Sequence, residues 1–300
     1  MKYILTVLLS TATLLSTAQS SISDLSDEFD DTASLSRWKL AHETEGFPNK
    51  IKKLAIDKAG NSLLLLEPGA SGWYADYQAP FIFKMVNGNF DVRMKIKISS
   101  TGTALPLADW SLAGLMVRQP KRTTKETWKP KEENWLFITT GIAHQPGLPV
   151  IEVKTTNNSL SNLKLRPVLN GWLELRIVRL DASFILMARN EGQSWQVLER
   201  FYRPLLPPNL QVGISAYSGW ETMPPQLKQD PKLFNETVPD TRADLLVEVD
   251  YIRFKKPGTD MSGIQSMFNK EYGQTLYYSL NNLLTDYSIS NEQLLKILGE

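Results

Sequence analysis

The sequence predicts an all-β fold, a two-sheet antiparallel sandwich, with a short α-helical tail. Three observations carry that reading. Apolar and polar residues alternate in twos through the middle of the chain. Turn residues separate the alternating runs at short spacing. Helical spacing replaces the alternation only after the last of those runs.

The elements follow in order. "MKYILTVLLSTATLLSTAQS" opens with Lys2, an apolar stretch over Ile4–Leu9, and small residues at Ser16 and Ala18. That is the pattern of a secretory signal peptide over residues 1–18, with cleavage at Ala18/Gln19. Its apolar run is broken by Ser and Thr and is short of the ~20 residues a spanning helix needs. The mature chain would then carry no membrane span and reside in the periplasm or outside the cell.

"FDVRMKIKI" (90–98) places Phe90, Val92, Met94, Ile96 and Ile98 on one face and four charges on the other. "WLELRIVRL" (172–180) alternates similarly. Further strands read at 111–119, 134–142, 149–155, 183–189, 195–201, 210–217 and 245–254. Asn87-Gly88, Asn170-Gly171 and Asn190-Glu191-Gly192 mark turns between them. Within "GWYADYQAPFIFK" (72–84), Pro80 opens a strand in which Phe81 and Phe83 are expected in the sandwich core and Ile82 on the other side. Long irregular connections at 99–110, 120–133 and 218–243 are candidates for function. Residues 257–300 carry helical spacing, and Ser290-Asn291-Glu292-Gln293 reads as a capping box before "LLKILG". That extension either packs on the sandwich or meets a protein partner through residues 259–300.

Composition limits the function classes. The 300 residues are 42% hydrophobic and 22% charged, which is ordinary globular composition. A formal net charge of +1 points to neither nucleic acid nor an acidic membrane surface. The absence of cysteine removes disulfides, thiol catalysis and Cys-ligated zinc, and suits a bacterial exported protein whose core is large enough without cross-links.

At "DEFDD…LSRWKL" (27–40), "WYADYQAPFIFKMVNGNFDVRMKI" (73–96), "AGLMVRQ" (113–119), "ENWLFITTG" (133–141), "WLELRIVRLDASF" (172–184), "LQVGISAYS" (210–218) and "VDYIRF" (249–254), the chain resembles the concanavalin A-like lectin/glucanase superfamily. It is most similar to the regulation-of-enolase-type domain of unknown function and to the C-terminal domain of bacterial β-xylosidases. The resemblance covers about residues 24–256, within a domain over 19–256. It implies a jelly roll of two curved sheets with a concave face that often meets carbohydrate.

Retaining glycosidases of that superfamily carry Glu-x-Asp-x-x-Glu in a mid-chain strand, bringing two carboxyls about 5 Å apart. The nearest match here, Glu248-Val249-Asp250-Tyr251-Ile252-Arg253, ends on Arg253 and lies in the final strand. It reads as structure, and no catalytic residue is assigned. His42 and His144 are the only histidines, and no Gly-x-Ser-x-Gly elbow occurs. The leading expectation is an exported, non-catalytic protein that binds a poly- or oligosaccharide. A glycoside hydrolase or polysaccharide lyase with a non-standard site is the enzyme alternative, and a structural interaction module the third.

Sugar sites combine aromatic faces with groups that fix hydroxyls. The candidates are Trp73, Tyr74, Asp76 and Tyr77 before a strand, Arg118 on the face opposite Leu115 and Val117, Trp135 with His144, and Trp220 beside Gly219. Asp76 decides between architecture and site: open beside Arg118 it would bind, and bonded to backbone it would not. Glu28, Asp30 and Asp250 are candidates for a structural Ca²⁺, since the terminal strands of a jelly roll are commonly neighbours. No other cofactor is expected.

Overall fold

A computed structural model describes residues 21–59, 62–259, 284–285 and 289–300. The expected signal peptide and most of the expected helical tail lie outside these residues. The described chain forms two seven-stranded antiparallel sheets. The first orders β1 (Lys39–Leu40), β4 (Phe81–Asn87), β13 (Asn209–Tyr217), β6 (Ser111–Arg118), β7 (Trp135–Ile142), β8 (Pro149–Asn157) and β9 (Leu160–Pro167). The second orders β12 (Gln196–Tyr202), β11 (Ser183–Asn190), β10 (Leu173–Leu180), β5 (Phe90–Ser100), β14 (Leu245–Lys255), β3 (Leu63–Pro68) and β2 (Ile51–Asp57). The architecture is a jelly-roll sandwich.

The core lies between the sheets because alternate residues of facing strands meet there. Val92, Met94 and Ile96 of β5, Leu175 and Ile177 of β10, and Val247 and Val249 of β14 pack against Leu115 and Val117 of β6, Leu136 and Ile138 of β7, and Val212 and Ile214 of β13. Each such aliphatic side chain contributes roughly 1.5–3 kcal/mol when fully buried. The sidedness expected of β4 is reversed: Ile82 faces the core, while Phe81 and Phe83 belong to a second apolar cluster on the outer face of the first sheet. Alternation says which residues share a face but not which face points inward. Here both faces are covered, so both are apolar.

The "DEFDD…LSRWKL" motif proves to be an edge seal. Asp27 is buried and accepts hydrogen bonds from the Phe29 backbone N–H (3.1 Å), Trp38 Nε1 (2.9 Å) and Arg37 (3.2 Å). Lys84 on β4 lies 3.6 Å from the same carboxylate and 4.4 Å from the Trp38 ring. Backbone bonds between Asp27 and Ile252 then tie this segment to β14.

Strands β1, β2, β3 and β9 escaped the sequence reading. The four leucines of β3 show no alternation, and β9 is an edge strand whose Lys164, Arg166 and Pro167 discourage further pairing.

Four short α-helices are described: α1 (Ala41–Glu45), α2 (Pro225–Gln229), α3 (Pro231–Glu236) and α4 (Asn291–Ile297). The expected capping box is formed: Ser290 accepts from the Gln293 N–H, and Gln293 reaches back to the Ser290 N–H. Leu294, Ile297 and Leu298 pack on Val178, Ile185, Met187 and Trp195, the outer face of the second sheet. Arg176, bidentate to Asp91, also bonds Glu300 (2.8 Å) and the Leu298 carbonyl (3.3 Å). The described part of the tail therefore docks on its own domain. Among the described residues, no helix is long and apolar enough to cross a membrane.

Candidate functional site

The outer face of the first sheet positions the site. Inward Leu136 and Ile138 force Trp135, Phe137 and Thr139 of β7 outward, and inward Ile151 and Val153 do the same for Glu152 and Lys154 of β8. Residues 69–80 fold back across this face. Trp73 lies edge-on to Phe81 (6.3 Å between centroids) and Trp135 (5.9 Å), and Trp135 stacks on Phe137 (5.0 Å). One end of the face is thereby filled.

A buried charge cluster closes that end. Arg118 is fully buried on the expected outer face, but its five donors are all engaged. Nε and Nη2 bind Glu133 (2.9 and 2.8 Å), Nη1 and Nη2 bind Glu45, and Nη1 reaches Gln211 at 3.4 Å. Gln78 bonds both carboxylates (2.9 and 2.8 Å), and Lys121 lies 3.2 Å from Glu133. Burial would raise the Glu133 pKa, but the Arg118 charge and hydrogen bonds outweigh it and hold the carboxyl down to about 2. Asp76 is also architecture. It accepts from the Lys131 N–H (3.0 and 3.1 Å) and from Ser159 Oγ, and its backbone carbonyl accepts from Asn235 Nδ2 (2.8 Å). Arg118 and Asp76 do not meet at an open site, and this corrects their assignment to ligand contact.

The other end stays open as a cavity of about 230 Å³. Trp73, Tyr74, Trp110 and Trp220 form its walls with Gly72, Leu163 and Glu221, and Lys154 and Tyr217 its floor. Lys154 is almost completely buried, ion-paired to Glu152 at 2.7 Å and bonded to the Trp73 carbonyl at 3.0 Å. Four rings surround its ammonium: Phe137 at 5.0 Å, Tyr217 at 5.7 Å, and Tyr74 and Trp110 at 5.8 Å. Tyr217 donates its hydroxyl to Glu152, which also accepts from Thr139 (3.3 Å). Burial first, and then the Glu152 charge, push the Tyr217 pKa well above its ordinary value, so the phenol stays protonated.

Local sequence makes this arrangement possible. Tyr217 on β13 reaches Glu152 on β8 across β6 and β7, with strands about 4.8 Å apart. Gly114 lies on β6, one of the two strands crossed, and a Cβ there would lie 2.1 Å from the Ile138 carbonyl oxygen. Trp110 holds a left-handed backbone (φ 52°), fixed by a 2.9 Å bond from its N–H to the Ala143 carbonyl. Such strain in a non-glycine residue concentrates at functional sites. Trp220 rests flat on Gly72, where a Cβ would come within 2.8 Å of the indole. Tyr77 and Phe234 of α3 back it at 5.1 and 5.6 Å.

Of the eight predicted ligand residues, Trp73, Tyr74 and Trp220 line the cavity. Tyr77 stands behind Trp220 and gives its hydroxyl to the Lys228 carbonyl (2.5 Å). Trp135 is core beneath Trp73, and His144 meets the edge of Trp110 at 4.5 Å without lining the cavity. Sequence reading missed Trp110, Glu152, Lys154 and Tyr217. The available signal was a polar Glu152-x-Lys154 pair inside the otherwise apolar strand "PVIEVKT".

The acidic residues proposed for calcium are not gathered. Glu28 is bidentate to Arg253 (2.7 Å for both bonds), Asp250 pairs with Lys95 (3.1 Å), and Asp30 is exposed. Among the described residues, no three His, Asp or Glu side chains converge as a metal site. Glu248 pairs with Lys97 at 2.8 Å, so the Glu248–Arg253 stretch forms ion pairs on the sheet opposite the cavity.

No family model and no curated protein matches this chain. Solved structures do. A functionally unknown protein from Saccharomyces cerevisiae aligns with a TM-score of 0.50 at 16% identity, covering 74% of this chain and 98% of that one. A mutant of the GH43 protein BlXynB from Bacillus licheniformis aligns with a TM-score of 0.51 at 14% identity, covering 78% of this chain and 39% of that one. At such identities the likeness carries the fold alone. The chain has the concanavalin A-like jelly-roll fold that its motif order resembled.

Proposed function

We propose that this protein is an exported, non-catalytic binder of carbohydrate, and that the cavity above Lys154 is its binding site. One observation carries the reading: tryptophan and tyrosine walls converge on a floor with a few fixed polar groups. Apolar ring faces suit sugar C–H surfaces, while Lys154 donates to, and Tyr217 Oη accepts from, a sugar hydroxyl. The N-terminal pattern of residues 1–18 supports export.

The test is affinity electrophoresis against a polysaccharide panel. Retardation by one polysaccharide is expected, with Trp110→Ala and Trp220→Ala each weakening it. Failure of every polysaccharide to retard the intact protein, together with no binding of any short oligosaccharide of the same sugars, would refute the proposal.

The Tyr217–Glu152 pair favours one second reading, a hydrolase or lyase that moves a proton at this floor. It requires release of sugar products that disappears in Glu152→Gln and Tyr217→Phe. Binding without product release decides for the binder.

A further inference from the structure

The shape of the cavity limits how a glycan can enter it. A chain running along the outer face of the first sheet would have to pass where Trp73 lies, and Trp73 is 1% exposed. Beyond it, Gln78 caps the Arg118–Glu45–Glu133 cluster, so that path is filled by fully bonded side chains. Trp220 blocks a second direction, held against Gly72, Tyr77 and Phe234. Trp110 stands at a third, anchored to Ala143. What stays accessible is the side bounded by the half-exposed Tyr74 and by Leu163 of the edge strand β9. The volume, about 230 Å³, falls below the ~300–1,000 Å³ of sites for drug-sized ligands.

The charges limit the ring as well. Among the described residues, Lys154 is the only cation lining the cavity, and Glu152 already neutralises it at 2.7 Å. Glu221 adds a carboxylate at the lining. A carboxylate on the incoming sugar would meet two like charges against one cation. A hydroxyl meets no such opposition, and Lys154 keeps one donor beyond Glu152 and the Trp73 carbonyl.

We infer that the cavity is a blind pocket that takes a single terminal ring of a neutral glycan, and that it excludes both internal chain segments and uronates. This rests on the carbohydrate reading above and adds to it the mode of binding and the class of sugar.

The experiment is isothermal titration of the full chain with size-fractionated oligosaccharides from neutral xylan, mannan, galactan and β-glucan, and from polygalacturonate. The expected result is one protein per chain at every length for a neutral series. Polygalacturonate oligomers should bind about tenfold more weakly or worse. Leu163→Trp, which narrows the open side from the edge strand, should abolish binding while leaving the unfolding temperature unchanged. Trp110→Ala, which removes a wall ring, should weaken binding.

A stoichiometry that rises with chain length would overturn the terminal-ring inference while leaving carbohydrate binding intact. Equal binding of the uronate series would overturn the neutral-sugar part. Unaltered binding by Leu163→Trp would place the ligand elsewhere. Absence of heat with every series would refute the carbohydrate reading itself, a result distinct from the others.

Discussion

Replacing Arg118 with Met removes the cation from a fully buried cluster and leaves Glu45 and Glu133 facing each other under Gln78. Removing one partner of a buried ion pair costs about 3–5 kcal/mol, because the remaining charge has no solvent to retreat to. The Glu133 carboxyl gives a second route to the magnitude. Its pKa is held down to about 2, against an ordinary 4.5. That difference is roughly 3 kcal/mol at about 1.4 kcal/mol per unit. A carboxyl depressed on folding contributes stability above its unfolded pKa, and the contribution is lost as pH falls from about 4.5 towards 2. Arg118→Met should therefore lower the stability by about 3–5 kcal/mol at pH 7. For a domain of this size that is about 6–20 °C in unfolding temperature. The gap to the native protein should narrow in acid, since Glu133 of the variant can then be neutralised by protonation. Urea unfolding followed by tryptophan fluorescence at neutral and acid pH measures both quantities. Adding Glu45→Gln and Glu133→Gln should recover part of the loss. A cost below about 1 kcal/mol at pH 7, the figure typical of a surface pair, would refute the buried-cluster account. So would loss of glycan binding by the folded variant, which would return Arg118 to the ligand.

Lys50 supplies a pH signature of the same sign in a different window. Burial lowers its pKa to about 7, with the Gln78 and Phe234 carbonyls (3.3 and 2.9 Å) as hydrogen-bond acceptors. Between pH 7 and 9 the unfolded chain holds the extra proton, so stability should rise by up to about 1.4 kcal/mol per pH unit from this group. Lys50→Met should flatten that slope, as chemical denaturation across the range would show. Trp73→Ala should cost about 3–5 kcal/mol, because its ring is core as well as cavity wall. A purely ligand-facing tryptophan would lose binding with unchanged stability. Gly72→Ala pushes on the Trp220 ring at 2.8 Å and should weaken glycan affinity with a small change in unfolding temperature, read by titration and calorimetry on one sample. Gly114→Ala places a methyl 2.1 Å from a backbone oxygen and should cost about 1–3 kcal/mol or more, measured by urea unfolding.

Much of the fold was legible because alternation is a local property. Each residue of "FDVRMKIKI" and "WLELRIVRL" reports its own face, and the core takes Val92, Met94, Leu175 and Ile177 as their spacing requires. The Ser290–Gln293 capping box was legible for the same reason, since Ser290 and Gln293, three residues apart, satisfy each other's backbone donors. Alternation could not say which face of β4 turns inward. It placed Phe81 and Phe83 in the core, whereas the segment around Trp73 folds back and gives them a second apolar environment.

The candidate site was legible only at its rim. Trp73, Tyr74 and Trp220 stand in loops, where an aromatic residue among polar neighbours is conspicuous. Trp135 shows the limit of that signal, because a tryptophan in a strand reads alike whether it faces a ligand or another tryptophan. By itself the sequence determined ten of the fourteen described strands, which residues share a face, the last tail helix and the pool of aromatic residues. Tertiary structure alone decided that Arg118 and Asp76 would be saturated by partners far along the chain, and that Glu152, Lys154 and Tyr217 would meet under Trp110. The physical reason is that a polar side chain's role depends on what neutralises it. Those partners stand on α1, in loops and on other strands, brought within reach only when the chain folds.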